Sequence, residues 1–300
     1  MSGDNSGYTP VTNASVTNGP VTNGPVEKPR ADATVDEEGR FVVRVRLPLP
    51  DSARPRLLLQ LRPKKGQSEE IGRVVALQPD GKGEWRAVLE TAPALAEGRW
   101  DAYVLPSPGG ERVPLLPGLR DLRALVSGGG DGRTTPLAVR IPYATKDGRL
   151  AVRAWLRASH AEAGRIVFAG RSMTVRARLF GPRLGEGATA LLQRRGRATA
   201  VRQIALRAEG RQDFSFTVDY QELLADGAQP GSGAAPVIWD VYVRPATGAS
   251  RIRVARLLDD VADRKTVFVY PAATLGGVTA RPYYTVDNDL SVEIAPPPAR

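Results

Sequence analysis

The feature that most constrains the fold is a duplication. The stretch "WDAYVLP" begins at Trp100, and "WDVYVRP" begins at Trp239. The matches continue in order on either side. "FVVRVRL" at 41–47 is echoed by "MTVRARL" at 173–179, and "LLLQLRP" from Leu57 by "ALLQRRG" from Ala190. "VVALQPDGKGEWRAVLE" from Val74 matches "QIALRAEGRQDFSFTVD" from Gln203, which sets Gly81 on Gly210 and Trp85 on Phe214. "LAEG" at 95–98 answers "LADG" at 224–227, and "PYATKDGRLAV" from Pro142 answers "PYYTVDNDLSV" from Pro282. Trp100 stands 42 residues before Pro142, and Trp239 stands 43 before Pro282. Ordered matches at constant spacing mark one structural unit used twice. One insertion, "AQPGSGAAPVI", separates Gly227 from Trp239 where the first copy has only Arg99. Its Gly, Pro and Ser content predicts a surface loop.

Within each copy the apolar residues alternate with period two, which predicts half-buried strands. Phe41, Val43, Val45 and Leu47 share one face against Arg44 and Arg46; Met173, Val175, Ala177 and Leu179 do the same against Arg176 and Arg178. "QPDGKGEW" and "RAEGRQDF" place polar and Gly residues between strands, as do "TKDGRL" and "TVDNDL", so each is read as a hairpin turn. Helical periodicity is scarce: "DYQELLAD" at 219–226 could make two turns, and "GLRDLRALV" at 118–126 is ambiguous. Eight or nine short strands per unit predict an all-β fold: two tandem immunoglobulin- or fibronectin-like antiparallel β-sandwiches. The expected boundaries are a disordered arm at 1–30, a first sandwich at 31–157 and a second at 164–295. "LRASHAEAG" supplies a polar linker between the sandwiches. The arm repeats "PVTNA SVTNG PVTNG PVEKP", a five-residue period that buries nothing. Its Asn13 sequon is read as chance.

Composition closes several routes to function. Cysteine is absent, which excludes disulfides, thiolate metal sites and a cysteine nucleophile. No run approaches a membrane span, and no secretory leader is visible, so a cytoplasmic location is expected. The net charge of +10 comes from 36 Arg and 6 Lys against 32 acids. These Arg residues are spread along the strands without interleaved aromatics, so nucleic acid is not the expected partner. His160 is the single histidine; it falls in the expected linker and is read as solvated. One histidine without cysteine gives neither a metal site nor a ready catalytic triad. The glycine-rich "SGGGDG" at 127–132 opens no helix and is read as a turn. Acid pairs at 37–38, 69–70 and 259–260 lie in polar surroundings, and Asp287 and Asp289 lie in an expected turn. Neither metal nor other cofactor is implied.

Trp100 and Trp239 share a strand face with small or β-branched neighbours, so they are core candidates together with Trp85 and Phe214. The opposite face carries Asp101 and Tyr103 in the first copy, Asp240 and Tyr242 in the second. Tyr143 and Thr145, matched by Tyr283 and Thr285, add a second polar–aromatic pair. Two readings of these eight residues stay open. They form a shallow ligand surface, with tyrosine rings stacking on sugars and aspartates accepting hydroxyl hydrogen bonds, or they brace strand corners.

The pattern W-D-x-Y-V, a hairpin, then P-Y-x-T-x-D-x-x-L-x-V resembles the tandem accessory β-sandwich modules at the C-terminus of wall-teichoic-acid-type bacterial glycosyltransferases and their actinobacterial relatives. The resemblance spans residues 31 to 295. It implies a companion module without the catalytic domain, since no nucleotide-sugar fold or D-x-D on a parallel sheet is present. The leading expectation is therefore a non-catalytic module that binds a glycosyltransferase or a glycopolymer in cell-envelope assembly. The alternatives are a structural protein that self-assembles as a homo-oligomer, and an enzyme with its site at the seam between the sandwiches.

Overall fold

The computed structural model describes residues 28–50, 52–63, 66, 68, 72–81, 83–127, 135–225, 230 and 234–296. Nearly all of the expected arm with its sequon, the acid pair at 69–70, most of the glycine-rich turn and part of the insertion after Gly227 lie outside those residues.

The alternating pattern becomes strands almost throughout. The first unit contains β1 (Arg30–Val35), β2 (Phe41–Arg46), β3 (Arg56–Leu61), β4 (Gly72–Ala76), β5 (Gln78–Pro79) and β6 (Glu84–Leu89). It continues with β7 (Gly98–Leu105), β8 (Val113–Pro114), β9 (Leu116–Asp121), a helical turn α1 (Arg123–Ser127), β10 (Leu137–Ala144) and β11 (Leu150–Arg157). The second unit contains β12 (His160–Ala169), β13 (Ser172–Phe180), β14 (Thr189–Arg194), β15 (Val201–Ala205), β16 (Arg207–Ala208) and β17 (Asp213–Asp219). Then follow α2 (Tyr220–Leu223), β18 (Val237–Arg244), β19 (Ile252–Ala255), β20 (Ala273–Leu275), β21 (Val278–Tyr284) and β22 (Leu290–Ala295).

Both units are open two-sheet sandwiches. In the first, one sheet runs β5-β6-β2-β1-β9 and the other β10-β11-β7-β3-β4, with β8 on β7. The second repeats this order with two differences: β20 adds an edge strand on β21, and β19 bonds to both β12 and β18, so its two sheets join along a continuous path. The first unit divides that task between β8 on β7 and β9 on β1. In each unit the first strand pairs in parallel with this late strand. A strand crossing from one layer to the other closes a sandwich corner without a barrel. The hairpins β10–β11 and β21–β22 extend the sheet beyond β7 and β18.

Burial follows the period. β7 and β18 show the same alternation, burying Trp100, Ala102 and Val104 in one case and Trp239, Val241 and Val243 in the other. Trp85 and Phe214 are also buried, opposite Val45 and Ala177 in equivalent register. Truncating such a side chain to Ala costs about 3–5 kcal/mol. The ambiguous stretch at 118–126 splits into the end of β9 and α1. The expected two-turn helix at 219–226 is a single turn, capped where the Asp219 side chain accepts from the Gln221 N–H at 2.8 Å.

The junction corrects the linker expectation. β11 ends at Arg157 and β12 begins at His160, so only Ala158 and Ser159 lie between them. His160 is buried, not solvated: it stacks on Phe180, and its Nε2 lies 2.7 Å from Glu162 Oε2. Glu162 also accepts the backbone N–H groups of Leu257 and Leu258 at 2.8 and 3.1 Å. Those bonds tie the chain at the end of β19 to β12, while Ala255 and Leu257 join the apolar core of the first unit and Leu258 and Ala262 pack on it. Arg264, fully buried, donates to the Arg256 carbonyl and pairs with Asp259, which fixes the same segment. Arg153 reaches Asp287 at 2.6 Å and Arg99 reaches the Val286 carbonyl at 3.2 Å. Apolar packing and ion pairs fill the seam.

Candidate functional site

The extra hairpin of each unit brings the candidate residues together. On β7, Asp101 sits opposite Gln60 of β3 on one side and Ala151 of β11 on the other. Tyr143 of β10 lies opposite Ala151, so Gln60, Asp101 and Tyr143 share one transverse row. Arg62, just past β3, bonds its backbone N–H to the Arg99 carbonyl at 2.8 Å. That anchor aims its guanidinium at Asp101, with Nε 3.0 and 2.9 Å from the two carboxylate oxygens and a terminal nitrogen at 2.6 Å. The Asp101 hydrogen bond raises the Arg62 pKa above its ordinary value. Two residues along β7, the Tyr103 ring lies 5.1 Å below the guanidinium carbon of Arg112.

The second unit builds the same cluster. Gln193, Asp240, Ser291 and Tyr283 occupy the equivalent row. The Arg195 N–H bonds to the Ile238 carbonyl at 2.8 Å, and its guanidinium meets Asp240 at 2.6 and 3.2 Å. Arg251 lies 4.6 Å from the Tyr242 ring centroid, as Arg112 lies over Tyr103. The repeated set is thus one glutamine, two arginines, one aspartate and two tyrosines at matching positions.

Two neighbours differ. Where the first unit has Ala151 and Pro114, the second has Ser291 and Arg253. Arg253 donates to Asp240 and to Ser291, both at 2.8 Å, and stacks on Tyr242 at 4.9 Å. The Ser291 hydroxyl donates to Asp240 at 2.9 Å. Burial pushes the Asp240 carboxyl up, but the Arg195 hydrogen bond, the Arg253 charge and Ser291 outweigh it and hold the carboxyl below the ordinary range. Asp289 lies 3.4 Å from Arg253 and goes the other way, since burial raises it despite that charge.

The threonines lie in the turns. Thr145 Oγ1 accepts the Arg149 N–H at 3.0 Å, and Thr285 Oγ1 accepts those of Asp287 and Asp289, each at 3.2 Å. In the second turn Asn288 takes the left-handed conformation, φ 59°, where a glycine is usual. Its side chain accepts the Arg264 N–H at 3.1 Å, which ties this turn to the junction segment.

The sequence reading passed over Arg62, Arg195, Arg112, Arg251 and the two glutamines. The signal was present: "LLLQLRP" over "ALLQRRG" aligns Gln60 with Gln193 and Arg62 with Arg195. Chemically, the cluster is an arginine–tyrosine surface whose carboxylate is already neutralised. A carboxylate held in a bidentate arginine clamp is a poor general base. Among the described residues, no group of three or more His, Asp or Glu could hold a metal.

No protein-family profile matches the chain, and no curated protein matches its sequence. Among solved structures, it is similar to residues 217–571 of TarS from S. aureus, with 13% identity and a TM-score of 0.29. That match covers 63% of this chain and 55% of the other. A second TarS structure matches with 13% identity and a TM-score of 0.28, over 63% of this chain and 35% of that one. The full extracellular region of plexin A4 matches with 12% identity and a TM-score of 0.19, over 77% of this chain and 27% of that one. The chain thus spans about half or less of the proteins it is similar to. The expected cytoplasmic location does not stand beside the likeness to TarS and is withdrawn. The likeness to the TarS accessory region is distant and confined to the fold.

Proposed function

We propose that this chain is a non-catalytic binding module that holds an anionic glycopolymer, together with the glycosyltransferase that builds it, on two equivalent arginine–tyrosine faces. The observation that carries the reading is the recurrence of the whole set, Gln60, Arg62, Asp101, Tyr103, Arg112 and Tyr143 against Gln193, Arg195, Asp240, Tyr242, Arg251 and Tyr283. Bracing needs only the Arg–Asp pair. The stacked Arg112 and Arg251 are exposed, and each keeps its guanidinium over a half-buried ring. Guanidinium groups bind phosphate and carboxylate in a bidentate fashion, and tyrosine rings offer a face to sugars. Two such faces on one chain raise avidity for a repeating polymer well beyond either alone.

The test is binding of the full chain to dextran phosphate and to neutral dextran of equal length. Binding to the phosphorylated polymer is expected, weakening as salt rises. Arg112→Ala or Arg251→Ala alone should weaken it about tenfold, and the double variant should abolish it. Equal binding to neutral dextran, or a double variant that binds as the parent does, refutes the reading.

A further inference from the structure

The two tryptophans of the repeat are not equivalent. Trp100 donates its indole N–H to the Ala96 carbonyl at 2.9 Å, and Leu61 lies opposite it across the strand pair. Trp239 faces Arg194 at the corresponding position, and its buried indole N–H has no partner among the described residues. Burying such a donor unpaired costs about 1–3 kcal/mol. Ala225, the counterpart of Ala96, lies toward Arg202 instead, whose guanidinium bonds to the Glu222 and Ala225 carbonyls.

A cavity of about 250 Å³ opens at this place, lined by Arg194, Arg197, Thr199, Arg202, Ala225 and Trp239. Neither Arg194 nor Arg197 has a side-chain partner among the described residues. Arg202 also lines the cavity, with its guanidinium carbon 5.6 Å from the Trp239 ring centroid. The cavity lies on the core-facing side of β14 and β18, opposite the Arg195–Asp240 face, because side chains alternate along a strand. In the first unit Leu61 and the bonded Trp100 indole stand at the positions of Arg194 and Trp239.

We propose that this cavity is a binding site for a phosphoryl group, with Arg194 and Arg197 as charge partners and the Trp239 indole as part of its wall. Three arginines lining one cavity favour a compact anion rich in acceptors. The space accommodates phosphate, free or carried on one sugar unit. The site does not rest on the arginine–tyrosine faces and can fail or succeed apart from them.

The experiment follows the four tryptophan indole N–H signals by NMR in the full chain, with the Trp239 signal assigned from Trp239→Phe. Inorganic phosphate, glucose 1-phosphate and glucose are titrated separately. The Trp239 signal is expected to shift with phosphate or glucose 1-phosphate while the Trp100 signal stays. Arg194→Leu, which installs the first unit's residue, should remove the shift, and Arg197→Ala should weaken binding about tenfold. The stronger of the two phosphates identifies the source of the group. No shift with either, a shift with glucose of equal size, or an unchanged response in Arg194→Leu overturns the proposal. Retained dispersion of the other three indole signals shows that the variants are folded.

Discussion

Asp101 and Asp240 occupy the same place in two copies of one unit, yet they carry different loads. Asp101 meets a single arginine, whose side chain is 40% exposed. Asp240 meets Arg195, Arg253 and Ser291, and the Arg253–Asp240 pair has side-chain exposures of only 13% and 15%. The duplicated framework kept the residues that cross between strands and allowed their flanks to change. Ala151 became Ser291, Pro114 became Arg253 and Leu61 became Arg194, or the reverse. Position in the sheet therefore specifies a role, while the flanking side chains decide its energetic weight.

The sharpest way to break this comparison is to neutralise each aspartate. Asp240→Asn leaves Arg195 and Arg253 close together, half-buried and without their shared counter-charge. Removing one partner from a buried pair costs several kcal/mol, and the partial exposure of Arg195 reduces that to about 2–3 kcal/mol. Asp101→Asn strips a pair with an exposed arginine, so the cost should stay within about 1 kcal/mol. Denaturant unfolding at neutral pH measures both. Equal losses would mean that the extra contacts of Asp240 carry no weight.

The tryptophans give the next largest contrast. Trp100→Phe removes a donor that is bonded and leaves the Ala96 carbonyl without it. Trp239→Phe removes a donor that has no partner. The two changes in ring size are alike, so Trp100→Phe should cost about 1 kcal/mol more than Trp239→Phe. The same unfolding measurement detects the difference. A larger loss at Trp239 would show that its N–H is satisfied in solution.

The fold was legible because strand alternation and turn chemistry are local and because every signal occurred twice. The duplicated "WD" segments, the hairpins and the core positions of Trp100 and Trp239 could all be written down from spacing. The clusters were half legible. Asp101 and Tyr103 lie far along the chain from Tyr143, and the partner of Asp101 is Arg62, likewise distant and hidden among the many arginines of this sequence. The junction was not legible. His160 and Arg264 look solvated as residue types, and their burial is tolerable only because Glu162, itself bonded to the Leu257 and Leu258 N–H groups, meets His160 and because Asp259 and Asn288 meet Arg264. A polar stretch read as a linker is therefore a stretch whose polar groups have unknown partners.

The smallest contrast lies within one cluster, between Asp240 and Asp289. Asp240 titrates below its ordinary value in the folded chain, and Asp289 above it. An unfolded aspartate titrates near pH 4. A lowered folded pKa contributes stability that is present above about pH 4 and is lost as pH falls through the folded value. A raised one works in reverse: its contribution is present below about pH 4 and is lost as pH rises through the folded value. The cost of Asp240→Asn should therefore be full at neutral pH and shrink on acidification, because the parent carboxyl then also takes a proton. Asp289→Asn should leave the chain at least as stable as the parent at neutral pH, by less than about 1 kcal/mol, and that margin should vanish toward pH 4. Unfolding curves of the two variants and the parent, collected between pH 3 and 7, decide the matter. If both differences move in the same direction with pH, then Arg253 neutralises Asp289 as completely as it does Asp240, and the assignment of Arg253 chiefly to Asp240 is wrong.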